Sequence, residues 1–153
     1  MDIAEQYDKI YRYCYFKLRD VQLAQDITQE TFLRFYRQDM TLDNGKELPY
    51  LYTIAKNLCV DEFRRKPFDS IEDIEEKADF DKSDEWINNL AVRSAMEKLP
   101  LDEQELLFLR YVNEISVASI CKTVGMSRFS VYRRLSKALK KLKEELKKEG
   151  FPE

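Results

Sequence analysis

The chain has 153 residues, 44% hydrophobic and 36% charged, which fits one medium domain or two small ones and excludes wholesale disorder. Three Gly and four Pro are too few to punctuate a many-stranded sandwich or barrel, and no apolar run approaches the roughly 18–20 residues of a membrane span. A net charge of −3 argues against a nucleic-acid binder only on average: residues 1–66 sum to 0, residues 67–85 to −7 and residues 86–153 to +4.

In chain order, Ile3, Tyr7, Ile10, Tyr11, Cys14 and Leu18 recur at helical spacing and predict a helix over 3–18, with Asp2 and Glu5 as a capping box. A second helix begins after Asp20 and runs to about Gln38, turning Leu23, Ile27, Phe32, Phe35 and Tyr36 toward a core. Asn44-Gly45 marks a turn, and Pro49 suits the first turn of a third helix, about 48–65, whose apolar side is Leu51, Ile54, Ala55, Leu58 and Phe63. Pro67 closes that helix. The acidic stretch after it lacks sustained periodicity and reads as a flexible linker over 67–83.

A second helical module follows. One helix spans about 84–98 and stops before Pro100; Asp102, with Glu105 three residues on, starts another that runs to about Val112. Ser116 caps a short helix, Val117 to Val124, Gly125 supplies a tight turn, and Ser127 caps a final helix over 128–148 with Val131, Leu135, Ala138, Leu142 and Leu146 on one stripe. No repeat or strand pattern appears. The expected architecture is therefore all-α: two small helical domains, 1–66 and 84–153, joined by the acidic linker.

The chemistry is bounded by what is missing. Histidine is absent, which excludes a Ser-His-Asp or Cys-His pair and any zinc site needing imidazole. Cys14, Cys59 and Cys121 are scattered among apolar neighbours without a CxxC, so they read as buried small hydrophobes and not as a disulfide framework. With neither a Gly-rich phosphate loop nor a paired-carboxylate signature, the expectation is a protein that is not an enzyme, with no catalytic residue, metal or organic cofactor. The absence of a signal peptide and of a membrane span points to a soluble, cytoplasmic protein with no direct membrane insertion.

Binding features remain. Ser116–Lys141 has the layout of a helix-turn-helix, in which the first helix braces across the DNA backbone and the second enters the major groove by its N-terminal end. Arg128 to Lys143 holds seven cations and no carboxylate. Arg128, Ser130, Arg133 and Arg134 lie off the apolar stripe near the helix start, where arginine forks onto guanine O6 and N7, while Lys137, Lys140 and Lys141 suit phosphates. The alternative is an ordinary helical hairpin with a solvated cationic face. On the third helix, Tyr50, Asn57, Asp61 and Arg64 share one side, and Arg64, Arg65 and Lys66 close it; this mixture suits a single strand, although tyrosine at helical spacing is more often core. On the second helix, Asp26, Gln29, Glu30, Leu33, Arg34 and Arg37 form a polar stripe around a leucine, which periodicity assigns equally to solvent or to a partner.

These segments resemble, in order, parts of the extracytoplasmic-function (ECF) group of bacterial sigma factors, promoter-recognition subunits of RNA polymerase. AQDITQETFLRFYR is similar to the polymerase-binding helix of the second region, PYLYTIAKNLCVDEFRRK to the helix that recognises and opens the −10 element, and KLPLDEQELLFLRYVNEISVASICKTVGMSRFSVYRRLSKALKKL to the fourth region, which reads the −35 element. The resemblance implies that Asp26, Gln29, Glu30 and Leu33 dock on core RNA polymerase. It implies that Tyr50, Asn57, Arg64 and Arg65 serve −10 binding, and that Arg128, Ser130, Arg133, Arg134 and Lys137 serve −35 binding. It also implies promoter DNA and an anti-sigma factor as partners, and transcription initiation as the activity. The chain departs from the family at Tyr50, where tryptophan is usual, at Ser119-Ile120-Cys121 in place of Glu-Ile-Ala, and at Ser130-Val131-Tyr132 in place of Thr-Val-Lys. About 18 linker residues reach roughly 60 Å when extended, enough to place two modules on elements up to roughly 17 base pairs apart. The rival reading is a stand-alone helix-turn-helix regulator whose N-terminal helices form a dimer or sensor domain; copurification with core polymerase separates the two.

Overall fold

In a computed structural model of the chain, which describes residues 2–38, 46–65, 90–148 and 150, all regular structure among the described residues is helical. The chain divides into two units, Met1–Ala78 and Asp79–Glu153. The expected linker over 67–83 and the Asn44-Gly45 turn lie outside the described residues.

The first unit holds α1 (Ile3–Leu18), α2 (Val21–Arg37) and α3 (Glu47–Arg65), each packed on the other two. Asp2 caps α1: its Oδ1 accepts from the backbone N–H of Ala4 at 3.1 Å and of Glu5 at 3.3 Å. Glu5, expected as the reciprocal half of a capping box, pairs with Lys9 at 3.2 Å. Only two residues separate α1 from α2. Arg19 ends α1 in the left-handed region at φ 56°, donating its N–H to the Tyr15 carbonyl, and Asp20 then caps α2 by accepting from Leu23 N–H at 2.9 Å.

Small side chains let these helices approach. Cys14, Ala24 and Ala55 are wholly buried, and Ile10, Ile27, Leu51, Tyr52 and Cys59 fill the space between them. Tyr13 and Tyr15, which the periodicity left off the core face, are buried; the Tyr13 and Tyr52 rings meet edge to face with centroids 5.4 Å apart. Conversely, Ile3, Tyr36 and Phe63, expected on the apolar side, are exposed. The reason is geometric: helical spacing defines a face but not how far around the helix its neighbours reach. Thr28 and Thr31 take core positions on α2 because their hydroxyls donate to the carbonyls of Ala24 and Ile27, at 2.6 and 2.7 Å, so no polar atom is stranded.

The second unit holds α4 (Leu90–Glu97), α5 (Leu101–Leu107), α6 (Val117–Val124) and α7 (Arg128–Lys148). The expected start of the first of these, at 84, falls outside the described residues. Gln104 bridges the Pro100 corner, its buried amide donating to the Leu99 carbonyl at 2.8 Å. The expected Asp102 cap does not form: Pro100 precedes α5, and Asp102 lies in its first turn. Nor does one α-helix reach Val112. After Leu107 the chain widens into a π-helical turn, Phe108–Val112, closed by Asn113 N–H on the Phe108 carbonyl at 3.1 Å. Leu106, Leu107, Phe108 and Leu109 are consecutive buried residues, more than one 3.6-residue stripe can face inward, and the widened turn accompanies that burial.

The helix-turn-helix forms as expected. Ser116 Oγ accepts from Ser119 N–H at 3.2 Å, Ser127 Oγ accepts from Ser130 N–H at 3.2 Å, and Gly125 ends α6 at φ 72° with its N–H on the Cys121 carbonyl at 2.9 Å. Val131, Leu135 and Ala138 are buried as expected, and Leu142 and Leu146 are half-buried. Of the cysteines, Cys14 and Cys59 are buried, whereas Cys121 within α6 is only half-buried. Since a Cβ at residue 125 would meet nothing within 4 Å, Gly125→Ala tests backbone strain alone. It should destabilise the protein by roughly 1–2 kcal/mol, read as a lowered urea midpoint with an unchanged slope.

Candidate functional site

Three surfaces carry the residues singled out by sequence. On α2, burial of Ala24, Ile27, Thr28, Thr31 and Phe32 turns the opposite side outward. Asp26, Gln29, Leu33, Arg34 and Arg37 are exposed there and Glu30 is half-buried, so all six expected residues share one face. The acidic end is held in place: Gln22 Nε2 donates to Asp26 Oδ1 at 3.0 Å, and Arg34 Nε donates to Glu30 Oε1 at 3.0 Å. Leu33, 52% exposed, gives the strip an apolar centre, and exposed Tyr36 three residues on enlarges it. A charged strip around a desolvatable leucine is suited to a protein partner.

An unbroken run of rings joins this helix to its neighbours. Tyr7 of α1 meets Phe32 at 5.4 Å between centroids, Phe32 meets Tyr36 at 6.3 Å, Tyr36 meets Phe35 at 5.3 Å, and Phe35 meets Tyr50 of α3 at 5.9 Å. The Tyr50 hydroxyl also donates to Gln38 Oε1. Tyr50 is half-buried, with its ring against Phe35 and its hydroxyl engaged by Gln38. Farther along α3, Asn57, Asp61, Arg64 and Arg65 are exposed, and Arg65 pairs with Glu62 at 3.3 Å. Val60 and Phe63, which sequence reasoning had left out or assigned to the core, are exposed among them and add apolar area to a cationic helix end. Their signal was available: both sit within the run that leads to Arg64 and Arg65.

In the second unit, α7 sorts its cations into two groups. Arg134 and Lys141 flank the buried stripe on the side of α5. Arg134 Nη1 meets Asp102 Oδ2 at 2.7 Å, and Lys141 Nζ lies 3.2 and 3.3 Å from the two carboxylate oxygens of Glu103. Lower down, Glu145 bridges Lys148 and Lys98, each at 3.3 Å, which ties α7 to the end of α4; the Lys148 hydrogen bond first, and then Lys98, hold the Glu145 carboxyl below its ordinary value. The other group faces outward. Phe129, Tyr132, Arg133, Ser136 and Lys140 follow i, i+3, i+4, i+7 and i+11, with Arg128 and Lys137 beside them, and all seven are exposed. Of the five expected −35 residues, Arg128, Arg133 and Lys137 are on this outer surface. Ser130 is half-buried with its N–H and hydroxyl engaged by Ser127, and Arg134 is turned to α5.

Among the described residues no cluster of Cys, Asp and Glu could hold a metal ion, and no helix is long and apolar enough to cross a membrane.

The chain matches two families in succession: Sigma-70 region 2 over residues 3–67 and Sigma-70, region 4 over residues 89–142. It is 30% identical to the ECF RNA polymerase sigma factor SigW of Bacillus subtilis, over 95% of this chain and 88% of that protein. It is 31% identical to the ECF RNA polymerase sigma factor BldN of Streptomyces coelicolor over 84% of this chain, but spans only 53% of that longer protein. In fold it is similar, at TM-score 0.67 and 15% identity, to the sigma factor RpoE of Bartonella quintana, solved in complex with the anti-sigma factor NepR; the match covers 95% of this chain and 94% of that one.

The two α5–α7 ion pairs differ in burial and should differ in worth. The Glu103 side chain is 8% exposed, so Lys141→Ala leaves a carboxylate desolvated without its cation, at a cost of roughly 1–3 kcal/mol. Arg134→Ala breaks an exposed pair and should cost under about 1 kcal/mol. Urea unfolding of the two variants beside the parent chain measures the difference.

Proposed function

The chain belongs to the ECF group of RNA polymerase sigma factors, and on that premise we propose which of its surfaces performs each part of promoter recognition. As a sigma factor it binds core RNA polymerase and directs it to promoters. The α2 strip of Asp26, Gln29, Glu30 and Leu33 is the polymerase-docking surface, its carboxylates supplying orientation and its leucine supplying apolar contact. The C-terminal half of α3 handles the −10 element: Asn57 meets unpaired bases, and Arg64 and Arg65 grip the backbone of the strand. Tyr50, held by Phe35 and Gln38, offers its half-exposed ring at the start of this helix. In the second unit, α7 enters the major groove of the −35 element with Arg128, Ser130, Arg133 and Lys137; Arg134 joins them by exchanging Asp102 for DNA.

Domain roles follow the same division: residues 1–66 for polymerase and −10 contacts, residues 84–153 for the −35 element, and the acidic 67–83 between them as a tether that avoids DNA. Promoter opening needs no bond chemistry in the sigma factor. Strand-separated DNA that binds α3 better than duplex does is populated in proportion to that difference in affinity, so capture of melted bases drives opening. The protein thus acts by binding, not as an enzyme, and works in the cytoplasm where polymerase and DNA are. By analogy with the RpoE–NepR pair, an anti-sigma protein holds it inactive by covering these surfaces.

The observation that carries this reading is the coincidence of two Sigma-70 matches, in order, with an exposed acidic–apolar strip in the first and a cationic helix-turn-helix in the second. Transcription in vitro from a genomic DNA library, with core polymerase alone or with the chain added, tests it; new 5′ ends must appear only on addition. The double variant Asp26→Arg with Glu30→Arg should lose at least about 30-fold in affinity for core polymerase while keeping its far-ultraviolet circular dichroism. At a promoter found in this way, Arg133→Ala should weaken use of the upstream element by roughly 1–3 kcal/mol. Arg134→Ala should weaken it less, because its guanidinium starts out satisfied by Asp102; comparing each variant with and without that element mutated separates the two.

A further inference from the structure

Phe129 is 72% exposed, among the most exposed large apolar side chains of the described residues, and it stands in the first turn of the helix assigned to the major groove. That turn is rigid: Ser127 caps it through Ser130 N–H, and Val131 is wholly buried one step behind. The ring is therefore displayed on a fixed backbone, not trailing from a frayed end. One turn later the Arg133 guanidinium lies over its face, the carbon of the guanidinium 5.6 Å from the ring centroid. A cation held on an aromatic face in this way loses less rotamer entropy when it later binds. Arg133 differs in this from Arg134, whose guanidinium is turned toward the carboxylate of Asp102.

We propose that Phe129 and Arg133 form one base-reading unit, in which the ring packs on the C5-methyl group of a thymine in the −35 element while its face aims the guanidinium at the O6 and N7 of a guanine in a neighbouring base pair. The thymine methyl is the apolar feature of the major-groove floor, and an exposed aromatic ring is a chemical match for it. The surroundings specify duplex DNA as the occupant. Arg128, Lys137 and Lys140 flank the pair, and Arg128–Lys143 contains no carboxylate, so a second copy of this face is repelled whereas a polyanion is attracted. Tyr132, exposed beside Phe129, widens the apolar patch where the family usually carries a lysine. The unit thus gives this chain a preference for a thymine next to a guanine that a purely cationic helix would not have.

The inference rests on the assignment of α7 to the −35 element. Its test uses holoenzyme assembled from core polymerase and the full chain, selecting active promoters from a pool whose upstream block is randomised. The parent chain should enrich thymine at one position and guanine beside it. Phe129→Ala should lose the thymine preference and weaken the guanine preference; Phe129→Leu, which keeps an apolar tip but no ring face, should retain thymine and weaken guanine only. Replacing that thymine by deoxyuridine, which lacks the methyl, should cost the parent about fourfold, the worth of one desolvated methyl group, and cost Phe129→Ala nothing. Unchanged base preferences in Phe129→Ala, or an equal loss at every position, overturn the proposal, as does a change in oligomeric state in place of base selection. If the parent enriches no upstream bases while still initiating, it is the assignment of α7 that fails, and the reading unit fails with it.

Discussion

Between Arg128 and Lys143 the last helix carries seven cations and no carboxylate, and where it seats against its own domain Asp102 and Glu103 meet two of them. These two neighbours in the first turn of α5 draw Arg134 and Lys141 to one flank of α7. The buried stripe of Val131, Leu135 and Ala138 sets the rotation of the helix, and the ion pairs reinforce it. What remains on the far side, from Arg128 to Lys140, is then presented as a coherent surface. This outer face is in that sense a remainder of packing: it consists of the side chains that the rest of the unit does not consume.

The first unit meets a different demand. Its three helices are drawn together by Cys14, Ala24 and Ala55, which bring backbones close, and by tyrosines that fill the remaining space. Crowding all that apolar matter on one side of α2 leaves its other side polar, with Leu33 and Tyr36 as its apolar part. The rings from Tyr7 to Tyr50 then tie α2 to α1 and α3, so the outer face of α2 and the end of α3 are borne on one packed body. Tyr50 illustrates the trade: where the family usually has tryptophan, the smaller ring is anchored by Gln38.

Helix boundaries were legible because caps are local. Asp2, Asp20, Ser116, Gly125 and Ser127 act within a few residues of themselves, and each does what its chemistry suggests. The shared face of Asp26, Gln29, Glu30, Leu33, Arg34 and Arg37 was legible for the same reason, since one helix carries all six. Partners distant in sequence were not. Arg134, expected to serve DNA binding, is held by Asp102, 32 residues earlier, a pairing that no local pattern announces. Ile3, Tyr36 and Phe63 fit an apolar period yet face solvent, because period cannot say where the neighbouring helix ends. The π-helical turn was equally hidden, since four successive inward residues satisfy no regular helix and give no repeat to detect.

The unequal burial of the two α5–α7 pairs has a consequence for ionic strength. Counterions screen the exposed Arg134–Asp102 contact, whereas the pair formed by half-buried Lys141 with the nearly inaccessible Glu103 is screened less. In concentrated salt the Arg134–Asp102 contact is therefore weakened well before the one that seats the helix through Glu103.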